Sequence, residues 1–551
     1  IRSTDSGSSW TLMNTGLPAA SDDSRPIVHG LVGTVSNNVF LLFSTLRTQD
    51  TSSWNAGGVF RSQDGAANWE DISGNLPTFG SESSMSYSYW RVAVDPEDPN
   101  NVIVGTRREW AWDEMGLYKT TAALAADTGT ITWTWLWDTE NFSTSITDWG
   151  WLDSDWWLDQ HIHFVGYSPV QSGVLFAGSD NVYKSSDGGA TWDERWTINN
   201  GDGTYTGRGM ELMEVFDITV DPSDGNTWWI GYDDMGLFKT EDDGQTFRRM
   251  DAEQNDSNLG DTDCACQIVV DPDDSNTLYV VRHGGDEEGK TNWRRGFLYK
   301  SSDDGATWSQ LGQGQIEGGR PYVVMLNGGA SSTRELVVAL YGTGMFRSTD
   351  SGATWTSANS GIESNDLANL WTLTESPAAP GTLYLGTADA QRDSSSYTGS
   401  IYRSTDSGAN WTKIDSATTP TSQILDLAVD TNGVVYAATT STDSWLAPGE
   451  GTGMGGLYRS ADDGANWTRV LDQPRVDGVD IHPTDSTIVA AAVSTGWNQF
   501  EEGDPDLVSP GIYVSTDSGL TYSRENNGLT FNFFWMLKAD PVTPGRFFLG
   551  T

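Results

Sequence analysis

Short runs of apolar and β-branched residues, each closed by Asp, Asn, Gly or Pro, recur along the whole chain, as in Leu278-Tyr279-Val280-Val281 and Thr382-Leu383-Tyr384-Leu385-Gly386-Thr387. Such runs predict short strands, and no helical period intervenes between them. One class of turn is written repeatedly: Val94–Asn101, Val220–Thr227 and Val270–Thr277 each place Asp and Asn after a Val. A second is more regular. The stretch Arg347–Trp355 reads Ser-x-Asp-x-Gly-x-Thr-Trp after an aromatic and a basic residue. Close copies stand at Ser3–Trp10, Ser185–Trp192, Ser301–Trp308, Ser404–Trp411 and Ser460–Trp467. Looser copies stand at Ser62–Trp69 (with Ala66 for Gly), Thr240–Phe247 and Ser515–Tyr522. The Asp carboxylate is able to accept backbone N–H bonds inside the turn, Gly supplies positive φ, and Trp plugs the core from the returning strand. Each copy is therefore expected to be a scaffold hairpin, with Asp5, Asp187, Asp303, Asp350, Asp406, Asp462 and Asp517 as structural carboxylates.

The spacing of these hairpins sets the architecture. The marker residues are Asp5, Asp64, Asp187, Asp242, Asp303, Asp350, Asp406, Asp462 and Asp517, and a degenerate copy around Tyr118 fills the 123-residue gap after Asp64. That makes ten units, each with two further strands ahead of its hairpin. Four short antiparallel strands per unit are a propeller blade, so the expected fold is all-β: one ten-bladed propeller over residues 1–551. The chain opens on a hairpin and closes on two strands ending at Thr551, so the last blade is expected to be shared by the two ends. Self-association through those ends and a chain that continues further are the rival outcomes. The first residue is Ile1 rather than Met, so any signal peptide is expected to have been removed or to lie outside this stretch.

Composition narrows the partners. The 551 residues carry 76 acidic against 31 basic side chains, a net charge of −45, which excludes nucleic acid as a ligand. Lysine occurs only seven times, and an acidic, lysine-poor surface suits a salty medium in which counterions screen self-repulsion. A marine or halophilic source is the expectation, with no cofactor or metal site beyond loosely held calcium. No apolar run approaches the roughly 20 residues of a spanning helix. Cys264 and Cys266 stand one residue apart and are read as buried thiols.

On these boxes the chain resembles the Asp-box (bacterial neuraminidase repeat) proteins. That resemblance implies boxes at the blade periphery, away from any catalytic centre. Relatives of this kind include sialidases, xyloglucan-degrading endoglucanases, sortilin-type receptor domains and a photosystem assembly factor. Sialidases look six-bladed with a Phe-Arg-Ile-Pro motif, of which Arg25-Pro26-Ile27 is a faint echo. The endoglucanases look like two facing seven-bladed propellers with a catalytic Asp from each. Ten blades in one ring match the sortilin-type domains, which bind without chemistry.

Function is expected on the long, variable loops of one face. Ten tryptophans lie in or beside these loops, among them Trp110, Trp112, Trp149, Trp151, Trp156 and Trp157. Aromatic faces interleaved with carboxylates suit sugar rings, and His161, His163, Arg91 and Trp535 complete the candidate ligand-binding set. Innermost strands line an axial channel, with Asp217, Asp426, Asp480 and Lys538 among its polar members. A glycosidase needs two carboxylates a few ångströms apart, for which Asp153, Asp155, Glu214 and Asp217 are the candidates. The leading reading is a secreted, non-catalytic propeller that binds a polysaccharide or a surface protein, with a subunit of an extracellular assembly or filament as its expected setting. The alternative is an endo-acting, xyloglucanase-like glycoside hydrolase using a carboxylate pair.

Overall fold

In the computed structural model, the described residues are those from 3 to 550 other than 4, 7, 18–24, 37–38, 50–53, 56–57, 77–86, 109–115, 139–145, 149–161, 163, 179–181, 196, 208–214, 233–235, 251–263, 284–295, 317–320, 327–332, 389–397, 441–454, 495–509, 528, 530–533 and 535. Among them the chain is β-structure with a single short 3-10 turn, Thr128–Thr130. No helix is long and apolar enough to cross a membrane. Sheets of four antiparallel strands in sequence order recur along the chain, which is the propeller architecture expected from the repeats.

The strands fall into two compact units, residues 1–212 and 213–551. In the first, three larger sheets follow one another among the described residues, and a two-stranded sheet of Thr197–Asn199 and Tyr205–Gly207 comes after them. The leading sheet holds Arg25–Ser36, Val39–Gln49, Val59–Ser62 and Glu70–Asp71, with the short Trp54–Asn55 added to its second strand. The next holds Tyr87–Val94, Val102–Arg108, Gly116–Thr120 and Thr134–Asp138. The third holds Phe164–Tyr167, Leu175–Gly178, Tyr183–Ser185 and Trp192–Glu194, and Ile146–Asp148 joins the last of these in parallel. The inner strand Tyr87–Val94 lies between Arg25–Ser36 and Phe164–Tyr167.

Among its described residues, the second unit is a ring of seven sheets. Its innermost strands, in order, are Val215–Asp221, Cys264–Asp271, Pro321–Met325, Leu370–Glu375, Gln423–Val429, Gly478–Ile481 and Met536–Ala539. Each packs on the next, and the last returns to the first. Six of these sheets have four strands, whereas the seventh has two, Met536–Ala539 and Phe547–Gly550. Residues 213–551 thus close on themselves through their inner strands, and among the described residues the last sheet takes no strand from the start of the chain. Each repeat specifies a blade, but closure depends on the wedge angle accumulated between blades, which no single repeat encodes.

The recurrent turn is built as its residue types require. In the copy at 348–355, Asp350 Oδ1 accepts from Ser348 Oγ (2.8 Å) and from the Thr354 amide (2.8 Å), and Oδ2 accepts from Thr354 Oγ1 (2.7 Å). Ser348 Oγ accepts in turn from the Gly352 amide at 2.8 Å. The chain turns through two positive-φ residues, Ser351 at 57° and Gly352 at 89°. A Cβ on Gly352 would stand 2.5 Å from Leu311 Cδ1, so glycine is needed there for space as well as for φ. Hydrogen bonds from Thr354 and Ser348 hold Asp350 below its ordinary pKa; the same bonds from Thr521 and Ser515 take Asp517 to about 2. At 62–69 the clamp survives with Ala66 at φ 71°, because the preceding Gly65 takes the first positive φ and Ser62 Oγ still receives the Ala66 amide at 2.8 Å.

The Val-Asp turns are a second clamp, facing inward. Asp95, Asp221, Asp271, Asp430 and Asp540 are all buried, and each accepts the amide two residues on, as Asp271 does from Asp273 at 3.0 Å. Between blades, apolar faces interleave: Tyr279, Val281, Leu336, Val338 and Trp355 form one such core. Burying aromatic and branched side chains on both faces of every blade supplies most of the cohesion.

Candidate functional site

The inner strands of the second unit bulge near their starts, between Val215 and Asp217, Ala265 and Gln267, Leu370 and Thr372, and Ile424 and Asp426. A bulge inserts one residue and re-aims the side chain that follows. Here it presents Asp217, Gln267, Thr372 and Asp426 to an axial cavity of about 390 Å³, which Asp480, Lys538, Trp371 and the Arg475–Asp477 pair also line. The buried Cys266 belongs to the same wall.

Three axial carboxylates stitch neighbouring blades by accepting a backbone amide from the next inner strand. Asp217 Oδ2 accepts from Ile268 (2.7 Å), Asp426 Oδ2 from Val479 (3.0 Å) and Asp480 Oδ2 from Ala539 (2.8 Å). At the seam between the last and first sheets, Lys538 takes the corresponding place and donates to Asp217 Oδ1 at 2.8 Å. Arg475 and Asp477 form a second buried pair at 2.6 Å. The seam has an outer contact too, where the Phe548 and Trp228 rings lie 5.1 Å apart and Arg546 bonds Asp243 and the Gly225 carbonyl.

Among the described residues, neither Asp426 nor Asp480 forms such an ion pair. Burial pushes Asp426 up to about 7, and the Asp480 charge adds to the rise against the amides of Val479 and Leu427 and the charge of Lys538. Burial likewise raises Asp480. Burial works against the charge on Lys538, but Asp217, Asp480 and Asp426 outweigh it and hold the ammonium above its ordinary range. The cavity therefore takes up a proton near neutrality. Because the folded pKa of Asp426 lies above its unfolded value, its contribution is complete below about pH 4 and is lost as pH rises through about 7. Asp426→Asn is expected to raise stability at pH 8 by on the order of 1–2 kcal/mol, since part of the shift is screened by solvent in the cavity. At pH 5 it should change stability little; urea unfolding at the two pH values checks this.

Asp217, Asp426, Asp480 and Lys538, expected on the axis, are brought together here. Asp217, however, does not fit a catalytic role: it is 4% exposed, and its two oxygens are taken by Lys538 and Ile268. Arg91 follows the matching bulge in the first unit, between Tyr89 and Arg91. Asp153, Asp155, Glu214, Trp110, Trp112, Trp149, Trp151, Trp156, Trp157, His161, His163 and Trp535 lie outside the described residues. Gln267, Thr372, Trp371 and Arg475 went unnoticed in the sequence. For the first two the signal was present, since each stands four residues ahead of, or near, the turn that closes its inner strand, where Asp217 and Asp426 stand in theirs.

Residues 180–318, about a quarter of the chain, match the family model described as Sortilin-Vps10 (Sortilin, neurotensin receptor 3). A xyloglucanase of Paenibacillus sp is 22% identical over 583 residues, covering 100% of this chain and 49% of that protein. A xyloglucanase of Hypocrea jecorina (strain QM6a) is 24% identical over 502 residues, covering 81% of this chain and 53% of that protein. The chain thus spans about half the length of these two relatives. Among solved structures, an ancestral GH74 enzyme matches at a TM-score of 0.61 and 16% identity, over 94% of this chain and 70% of that one. These findings overturn the reading of a non-catalytic binding propeller within an extracellular assembly. That reading leaned on a count of ten blades, whereas the similarity that spans the chain is to xyloglucanases. The chain is a β-propeller protein whose sequence is similar, along its whole length, to a xyloglucanase.

Proposed function

We propose that the chain is part of a secreted, endo-acting glycoside hydrolase whose substrate is a xyloglucan-type polysaccharide. The observation that carries this reading is the similarity to the Paenibacillus xyloglucanase over 100% of the chain. The recurrent turn is assigned to the Asp-box type, a peripheral clamp that leaves the chemistry to the long loops. Of the candidate carboxylates, Asp153, Asp155 and Glu214 are retained, and Asp217 is assigned to blade stitching. One carboxyl would protonate the leaving oxygen while a second activates water or attacks the sugar. Trp110, Trp112, Trp149, Trp151, Trp156 and Trp157 would offer stacking faces to successive sugar rings, with His161, His163, Arg91 and Trp535 as polar and aromatic neighbours.

Release of reducing ends from xyloglucan, mixed-linkage glucan and cellulose tests the reading. Xyloglucan is expected to be cleaved in preference, and Asp153→Asn, Asp155→Asn or Glu214→Gln to reduce turnover by about 10²–10⁴-fold, the range for losing an acid–base group, with an unchanged circular dichroism spectrum. A wild-type protein inert on all three polymers would sink the proposal.

A further inference from the structure

The axial cavity of the second unit is given no part in the hydrolysis proposed above, which is assigned to the loops, yet its wall is built for a ligand. It runs along the inner strands rather than forming a surface dimple, since residues 371–374 and 425–429 line it in unbroken succession. Its volume of about 390 Å³ falls at the small end of the range of roughly 300–1,000 Å³ in which proteins hold small molecules. A compact molecule of one ring fits such a space, and a polymer does not.

Two carboxylates of this wall are fixed before any ligand arrives. Asp426 Oδ1 accepts the Leu427 amide at 2.9 Å, and its Oδ2 accepts the Val479 amide at 3.0 Å. Asp480 Oδ1 accepts the Ile481 amide at 2.8 Å, and its Oδ2 accepts the Ala539 amide at 2.8 Å. One amide on each oxygen locks both carboxylate planes, and each oxygen keeps a second lone pair for another donor. Lys538 gives N–H groups to Asp217 Oδ1 (2.8 Å) and Thr219 Oγ1 (3.4 Å), and among the described residues its third is left over. Gln267 and Thr372 add an amide and a hydroxyl, and Trp371 adds an aromatic ring. Because burial pushes Asp426 up to about 7, near neutrality it offers a carboxyl donor as well as an acceptor.

This mixture selects a ligand class. Carboxylates, an ammonium and the Arg475–Asp477 pair share one wall, so neither a polyanion nor a polycation meets a matching field. A neutral ring bearing several hydroxyls does, because each hydroxyl donates one hydrogen bond and accepts others. We infer that the axial cavity is a binding site for a single neutral sugar ring, held by Asp426, Asp480 and Lys538 with Trp371 as its apolar wall. The fixed carboxylates accept from the sugar O–H groups, the ammonium donates to a sugar oxygen, and the C–H face of the ring packs on the indole. Acceptors fixed beforehand lower the ordering cost of binding. The inference does not rest on the hydrolysis proposed for the loops.

D-glucose and D-xylose are the probes, with methylammonium chloride and sodium glucuronate as charged comparisons. Titrated into the full chain and followed by calorimetry and saturation-transfer NMR, at least one of the two sugars is expected to bind saturably at one site. Trp371→Leu and Asp480→Asn are each expected to weaken that binding by about 10-fold, the loss that removing one stacked face or one hydrogen bond to a charged group brings. Circular dichroism and Tm establish that each variant is folded, and the wild-type titrations stand without either. Saturable binding of methylammonium or glucuronate in place of the sugars overturns the inference. So does the absence of binding by any probe, or sugar binding that both variants leave unchanged. Release of reducing ends from xyloglucan is a separate readout: a chain inert on the polymer that still binds the sugar keeps this site and loses the proposed activity.

Discussion

Arg334→Met is expected to cost about 3–5 kcal/mol of stability, the range for breaking a buried ion pair by removing one partner. Arg334 and Asp271 are both fully buried, and the guanidinium reaches Asp271 through Nε (3.1 Å) and Nη2, with Asp273 on the same Nη2 at 2.7 Å. The side chain crosses from the third sheet of the second unit to the turn of the second. Its backbone is fixed at the same time, for the Arg334 amide bonds Ser351 Oγ (2.9 Å) and the Ser351 amide bonds Arg334 O (3.0 Å). Methionine fills much of the volume but leaves the Asp271 charge without its cation in a dry site. Lysine should recover only part of the loss, because it cannot bond both Asp271 oxygens in the planar fork. Asp271→Asn added to Arg334→Met should recover part as well, since it removes the stranded charge. Urea unfolding of the three variants gives the measurement; a loss under about 1 kcal/mol for Arg334→Met would mean that the pair is not the inter-blade bolt described above.

Lys538→Met is the second large effect, and it acts at the seam of the ring. Asp217 is buried, while the Lys538 side chain is 39% exposed in the cavity, so solvent moderates the cost to about 2–3 kcal/mol. The seam is the place where the ring is joined by a two-stranded sheet rather than a four-stranded one. Weakening it should lower the cost of local opening before global unfolding. Hydrogen exchange should speed up first in Met536–Ala539 and Val215–Asp221, and later in Leu383–Thr387. Uniform acceleration across the ring would argue that the seam is no weaker than the other joints. The Lys538 effect should persist at pH 8, where Asp426 is charged, because Asp217 rather than Asp426 is its direct partner at 2.8 Å.

Much of the local structure was legible from residue types. The turn at Ser348–Trp355 could be drawn from its Ser, Asp, Gly and Thr alone, since each has one acceptor or one φ to offer and the hydrogen bonds found are the ones those groups can make. Asp217, Asp426, Asp480 and Lys538 could be placed on inner strands from the apolar runs that carry them. What each does there was not legible. Asp217 looked like a catalytic candidate because a carboxylate near a channel suggests chemistry, and its role changed once Lys538, 321 residues away in sequence, proved to be its partner. The function was misjudged through the same gap, because counting blades presupposed how many of them join one ring.

By itself, the sequence determined that this protein is a series of four-stranded β-blades held by carboxylate turns and Trp plugs. These are short-range facts, decided by backbone φ, side-chain acceptors and strand alternation within about fifteen residues. Only the tertiary structure decided that the described residues of 213–551 close as seven sheets and that the axial carboxylates stitch blade to blade. Closure depends on the sum of small angles between blades and on contacts between residues hundreds of positions apart, and no local pattern carries either.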